Sequence, residues 1–343
     1  SAQGQSGQGV SSAGQGSYGF PSTIQHLSVP VAGPNGTSAL SLQVLSEKNH
    51  SIAVISPQGT VVETLPLSSY SVADSSGDHF GSIVSVSTAD GIKTFGDILN
   101  QSASEPYFVH IAPNATPSAA ASHLISRISG ADLQLPGTCG DDQHAGQLIQ
   151  QLLGSGAQQF GSGSASGSVS AQSSLRTMKL IVSSSGEFTG SRSDTEVVAQ
   201  VVSTVDAANL YFQTLGLEID LVGVQIYRQG QGDPYASATQ QQDAFQMLQA
   251  VRNLWSGRRI PAHDMVAVFG RGLFGNVFGL AYTATSCLSP DFSVLFATQG
   301  GNSATAQLGL ASTLAHEVGH IIGMNHDTTI YPEGASVMWP YFV

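Results

Sequence analysis

Apolar and polar residues alternate over short stretches through the first third of the chain. Leu40-Ser41-Leu42-Gln43-Val44-Leu45 and Ile52-Ala53-Val54-Ile55 follow this pattern, and Pro34-Asn35-Gly36 and Pro57-Gln58-Gly59 interrupt it. A period near two with such breaks predicts β-strands joined by turns over residues 20–108. Short helices are expected at 117–130 and 147–153. Beyond residue 175 the pattern changes. Met178-Lys179-Leu180-Ile181-Val182 predicts a buried strand, and Val197, Val198, Val201, Val202 and Val205 then recur at helical spacing. Ser193-Asp194-Thr195-Glu196 just ahead of them is a capping box, so this helix is expected to start there and run to about Gly216. A strand at 219–227, a helix at 242–255, strands at 265–269, 279–283 and 292–297, and one long helix near the C-terminus complete the reading. Strands that alternate with helices predict an α/β domain.

Composition then divides the chain. Residues 1–19 are nearly all Gly, Gln, Ser and Ala, which predicts a flexible leader, and 154–174 repeat that composition as the clearest linker. The 343 residues thereby fall into a β-rich part at 20–153 and an α/β part at 175–343. A formal charge of −12, from 11 Lys+Arg against 23 Asp+Glu, excludes a protein that grips nucleic-acid phosphates. No apolar run reaches the ~18 residues that a membrane span needs. Ser1-Ala2-Gln3-Gly4-Gln5 lacks the basic and apolar parts of a signal peptide, so an exported chain is expected to have lost its signal already.

The long C-terminal helix carries the chemistry. It reads His316-Glu317-Val318-Gly319-His320-Ile321-Ile322-Gly323-Met324-Asn325-His326-Asp327. At 3.6 residues per turn His316 and His320 project from one face, so both imidazoles can reach one metal ion. Glu317 lies one residue further round, where its carboxylate can take a proton from water. Gly323 can adopt the positive φ that ends a helix, and the turn brings His326 back as a third nitrogen ligand. Three imidazoles with an open fourth position describe a catalytic rather than a structural zinc site. Chance places this His-Glu-x-x-His-x-x-Gly-x-x-His spacing in such a chain with a probability on the order of 10⁻⁵. A merely amphipathic core helix would crowd three rings and a carboxylate without partners, which burial penalises.

These residues resemble the metzincin zinc peptidases. Asp327, after the third histidine, resembles the adamalysin (reprolysin) branch, the ADAM and snake-venom metalloproteinase type. Residues 197–227, His263-Asp264, and Gly279-Leu280-Ala281-Tyr282 with Cys287, Ser293 and Val294 beyond are also similar to that branch. Ser336-Val337-Met338 resembles the family's Met-turn, which places the Met338 thioether beneath the zinc. The resemblance covers 175–343. It implies an α/β metzincin catalytic domain with a mixed, mostly parallel sheet and a long active-site helix, preceded by a β-rich propeptide domain. It further implies peptide-bond hydrolysis in which zinc polarises the scissile carbonyl and Glu317 passes the water's proton to the leaving amine. A substrate strand would pair along Gly279, Leu280, Ala281, Tyr282 and Thr283, the alternative being that this strand is internal. The family's last helix has no counterpart after Met338, so the domain is expected to be minimal or trimmed.

Leu135-Pro136-Gly137-Thr138-Cys139-Gly140 resembles the cysteine switch of the family's prodomains, whose thiolate fills the fourth zinc position. Gly137 stands where the family has lysine. A Cys139–Cys287 disulfide and two buried thiols are the other readings. By the resemblance, residues 20–153 are a propeptide that inhibits the chain intramolecularly, and cleavage between 154 and Arg176 releases the enzyme. Sequons at Asn35, Asn49, Asn100 and Asn114 agree with a secreted, extracellular glycoprotein. The expectation is a latent zinc endopeptidase acting on proteins or peptides. Its competitors are a metzincin-fold binding protein without turnover and a structural glycoprotein without stoichiometric zinc.

Overall fold

The computed structural model of the chain describes residues 26–33, 36–88, 91–100, 107–118, 121–129, 138–139, 176–212, 215–258, 261–272, 274, 276–286, 291–300, 304–327 and 337–338. The expected leader, linker and 147–153 helix, together with Cys287, lie outside these residues.

In the first part of the chain β1 (His26–Gly33) and β2 (Gly36–Ile55) pair antiparallel. Five further strands follow as antiparallel neighbours in chain order: β3 (Val61–Ala73), β4 (His79–Thr88), β5 (Gly91–Asn100), β6 (Tyr107–Ser118) and β7 (Ala121–Ser129). The helix expected at 117–130 is not formed. Residues 121–129 instead pair with β6, Ile111 opposite Ile125 and Phe108 opposite Ile128. The segment is short and carries β-branched Ile125 and Ile128, so an available strand edge decides its conformation. Last in this part is the two-residue β8 (Thr138–Cys139).

Strands and helices alternate in the second part: β9 (Arg176–Ser184), α1 (Gly186–Thr189), α2 (Asp194–Phe212), β10 (Leu217–Ile226), α3 (Ala236–Gln241), α4 (Ala244–Trp255), β11 (Met265–Arg271), β12 (Val277–Ala281), β13 (Val294–Gln299) and α5 (Ala304–Ile321). The capping box forms at the start of α2. Ser193 Oγ accepts from the Glu196 N–H at 3.3 Å, and the Glu196 carboxylate accepts from the Ser193 N–H at 2.9 Å. Asp243 caps α4 through its side chain alone, accepting from the N–H groups of Phe245 and Gln246.

Strands β10, β9, β11 and β13 are parallel neighbours, and β12 adds antiparallel to β13. The expected mixed, mostly parallel sheet is therefore present. Two features extend it. On one side β8 pairs with β12, and on the other β2 pairs parallel with β10 through Ala53, Val54 and Ile55 opposite Gly223, Val224 and Gln225. Among the described residues the order β7-β6-β5-β4-β3-β2-β10-β9-β11-β13-β12-β8 is thus one continuous sheet.

Alternation along the strands sorts their side chains into layers. Leu180 and Val182 of β9 join α2 and the α5 residues Leu310, Leu314 and Val318 in the main core, whereas Ile181 joins Met247, Leu248, Val251 and Trp255 of α4 on the opposite face. The main core does not stop at β10. It takes in Ile52, Val54, Leu65, Leu67, Val84, Val86 and Phe95 from the first part of the chain. Fully burying one such side chain stabilises the fold by about 1.5–3 kcal/mol.

Candidate metal centre

Helix α5 ends in a backbone arrangement that shapes the site. The Gly323 N–H donates to the His320 carbonyl at 2.9 Å, and the Met324 N–H reaches back to the Gly319 carbonyl at 2.9 Å. With Gly323 at φ +101° this is a Schellman motif, and the reversal of direction is what returns residue 326 toward the helix. A second loop closes the same helix end. The N–H groups of Ala284, Thr285 and Ser286 donate to the carbonyls of His320 and Ile321 at 2.8–3.1 Å, and Ala284 takes φ +58° to do so. For that reason β12 ends at Ala281. Tyr282 and Thr283, expected within the substrate strand, leave it instead, and the Tyr282 ring is fully buried edge-on against Phe292.

Three imidazoles converge beneath this turn. The Nε2 atoms of His316 and His320 are 2.9 Å apart, and each lies 3.1 Å from Nε2 of His326. Their outer nitrogens explain the orientation. His316 Nδ1 donates to the Val337 carbonyl at 2.7 Å and His320 Nδ1 to the Met324 carbonyl at 2.9 Å. That fixes both tautomers with an Nε2 lone pair turned inward. Burial, together with the neighbouring His320 and His326, pushes the His316 imidazole down to about 3, so the ring is neutral. Inward lone pairs repel one another unless a cation lies between them. Tetrahedral zinc at ~2.0–2.1 Å from each nitrogen requires N···N separations of about 3.3 Å. The observed triangle is a few tenths of an ångström smaller, so these three residues fit a zinc ion.

Two glycines let other groups approach. A Cβ on Gly319 would lie 2.4 Å from Met338 Sδ, so the missing side chain makes room for the buried Met338 directly on the histidine helix. The Asp327 N–H holds this segment through the Met338 carbonyl at 3.0 Å. A Cβ on Gly279 would lie 2.4 Å from Glu317 Oε1 and 2.6 Å from Thr313 Cγ2. Strand β12 therefore passes directly over the fully buried Glu317. Opposite Gly279 on the other side, in backbone register, is Cys139 of β8. The thiol itself lies outside the described side chains.

A family model spans the three histidines and Glu317. The reprolysin model of metallo-peptidase family M12 matches residues 174–337. This segment belongs to that family. Disintegrin and metalloproteinase domain-containing protein 12 of Mus musculus is 26% identical over 262 residues, covering 72% of this chain and 26% of that protein. Protein 33 of the same series, from Homo sapiens, is 30% identical over 131 residues, covering 36% of this chain and 14% of that protein. The chain spans about a quarter or less of the length of these curated relatives. Among solved structures, metalloproteinase-II from Bacteroides fragilis aligns with a TM-score of 0.49 at 12% identity, covering 93% of this chain and 85% of that one.

The structure thus gathers His316, His320 and His326 around one point, turns the chain at Gly323, seats Met338 against Gly319 and sets Gly279 against Glu317. Asp327 is tied to Met338. Leu280 and Ala281 lie on β12 as buried residues. Sequence reasoning missed the role of Gly319, although a glycine inside a helix is a sign of close packing. It also missed the carbonyls of Met324 and Val337, which no side-chain pattern can reveal.

Proposed function

We propose that the reprolysin domain is a zinc-dependent endopeptidase held latent by the segment around Cys139. The observation that carries the reading is the Nε2 triangle with outward Nδ1–H groups anchored on carbonyls. Zinc bound there would act as a Lewis acid toward a peptide carbonyl. Everything else falls to this chain's own residues. Glu317, buried one residue beyond His316, accepts a proton from the attacking water and returns it to the leaving amine. Strand β12 receives an extended peptide by backbone pairing, with Val277 to Ala281 rather than Thr283 as the pairing residues. Met338 holds a dry floor against α5.

Latency is supported by where β8 runs. Its two residues pair with β12 at Val277 and Gly279, the edge a substrate strand would use. The likeness to the mouse protein is also longer than the 174–337 segment, so it reaches beyond the peptidase domain. No helix among the described residues is long and apolar enough to cross a membrane. For an extracellular chain, glycosylation is expected at exposed Asn49 and not at Asn100, which is 5% exposed and hydrogen-bonded to His79.

Elemental analysis and a casein-type substrate test the proposal. The expected result is one zinc per chain and hydrolysis after linker cleavage that Glu317→Gln abolishes while zinc is retained. Equal hydrolysis by wild type and Glu317→Gln would refute it. Latency is tested separately: Cys139→Ala should be active without cleavage.

A further inference from the structure

We propose that residues 26–129 are a permanent structural partner of the reprolysin domain, retained after the linker is cut, and that only the segment bearing Thr138–Cys139 leaves the cleft. Retention follows from the fold alone. The second part, in which departure of that segment uncovers the cleft, rests on the latency reading above.

The two strand pairings that join the first part of the chain to the second differ in kind. At the cleft, β8 contributes two residues to an edge. At the far side, β2 continues the parallel sheet beyond β10, and without it β10 would be a bare edge. Helix α2 shows the same dependence. Val197, Val198, Ala199, Val201, Val202 and Val205 are at most 2% exposed and span about 200° around the axis, and Gln200, Ser203 and Thr204 on the remaining side are buried as well. An apolar face this wide, with buried polar residues beside it, must be covered from more than one side. Its own sheet covers one face, and β4 and β5 supply Val84, Val86 and Phe95 for another.

Polar ties on the same surface are set by geometry rather than by loose attraction. Ser82 Oγ donates to Asp206 on α2 at 3.0 Å, Lys93 pairs with Glu196 at 2.5 Å, and Gln225 of β10 donates to the Ser56 carbonyl at 2.8 Å. One tie reaches the helix of the metal ligands. Buried His110 on β6 bonds through Nδ1 to Asp97 at 2.6 Å and through Nε2 to Oε1 of Gln307 on α5 at 2.8 Å. Removing residues 26–129 would expose apolar surface on α2, strip an edge from the sheet and take one hydrogen-bond partner each from Asp206, Glu196, Gln225 and Gln307. Removing β8 frees only the β12 edge at Val277 and Gly279.

The test uses the full chain with one specific protease site inserted within 154–174 and a different one within 130–137. After the first cut, and after both, the fragment carrying 26–129 should co-elute with the reprolysin domain in size-exclusion chromatography at micromolar concentration. Retention should persist in a metal chelator, because it does not depend on the site. Amide exchange at Gly223, Val224 and Gln225 should stay as slow as in the uncut chain. Separate elution of the fragment with the remaining domain still folded and monomeric would overturn the proposal, as would fast exchange at those amides. A peptide substrate added to the same samples separates the two claims. Hydrolysis should appear after the linker cut, and persist after the second, with the fragment still bound. Retention without hydrolysis would sink the latency reading and the claim about the leaving segment, and hydrolysis only after the fragment is lost would sink the retention.

Discussion

Replacing Gly319 by alanine sets two effects of opposite sign against each other. In a helix interior alanine is favoured over glycine by about 1 kcal/mol. The new methyl, however, would stand 2.4 Å from Met338 Sδ and 3.2 Å from its Cε. Met338 is only 5% exposed, so its side chain cannot swing into solvent. Overpacking of this kind costs about 1–3 kcal/mol, so the net change is a loss of about 0–2 kcal/mol, a shift of a few degrees in Tm. The larger effect should fall on the metal. Moving Met338 moves Val337, whose carbonyl orients His316 through Nδ1. Loss of such a supporting bond lowers metal affinity by about 10–100-fold. Competition with a chromophoric chelator measures this, and Gly319→Ala combined with Met338→Ala should recover part of the affinity by restoring room. Wild-type zinc affinity together with a raised Tm in Gly319→Ala would refute the reasoning, since only the helix propensity would then be acting.

Gly279→Ala forces a methyl against Glu317 and Thr313 and should lower kcat at least about tenfold with zinc content unchanged, measured by steady-state hydrolysis beside elemental analysis. Gly323→Ala must hold φ +101° with a side chain, which should cost about 1–3 kcal/mol and weaken zinc through His326, read by thermal denaturation with and without chelator. Burial alone would lower His110, but the Asp97 carboxylate against Nδ1 and the Gln307 oxygen outweigh it, and the folded value lies above the ordinary 6.5. The corresponding stability is fully present below pH 6.5 and is lost as pH rises through the folded value. The Tm difference between wild type and His110→Gln should accordingly shrink with increasing pH, and a difference that grows would contradict the assignment. Asp243→Ala removes two bonds at the start of α4 and should cost about 1 kcal/mol in chemical denaturation without altering zinc binding.

What could be read along the chain was whatever depends on neighbours a few residues apart. The spacing of His316 and His320, the turn at Gly323 that returns His326, the capping box at Ser193 and the alternation of strands and helices after residue 175 are all of this type, and all are present in the folded molecule. Helix geometry is local, so sequence spacing converts directly into distance. Residues 121–129 show where this stops. A short apolar stretch suits either a helix or a strand, and the unpaired edge of β6 decided between them.

The remaining features join residues far apart, and sequence spacing says nothing of them. Val337 aligns His316 from 21 positions away, Met338 fits the gap at Gly319, and β12 meets Glu317 only because Gly279 has no side chain. The shared sheet is the largest such feature. Composition divides the chain at the linker, yet Ala53, Val54 and Ile55 complete the edge of β10. Backbone hydrogen bonds and apolar burial are indifferent to chain order, so they can join what composition appears to separate, and only the folded arrangement reveals which edges and faces needed covering.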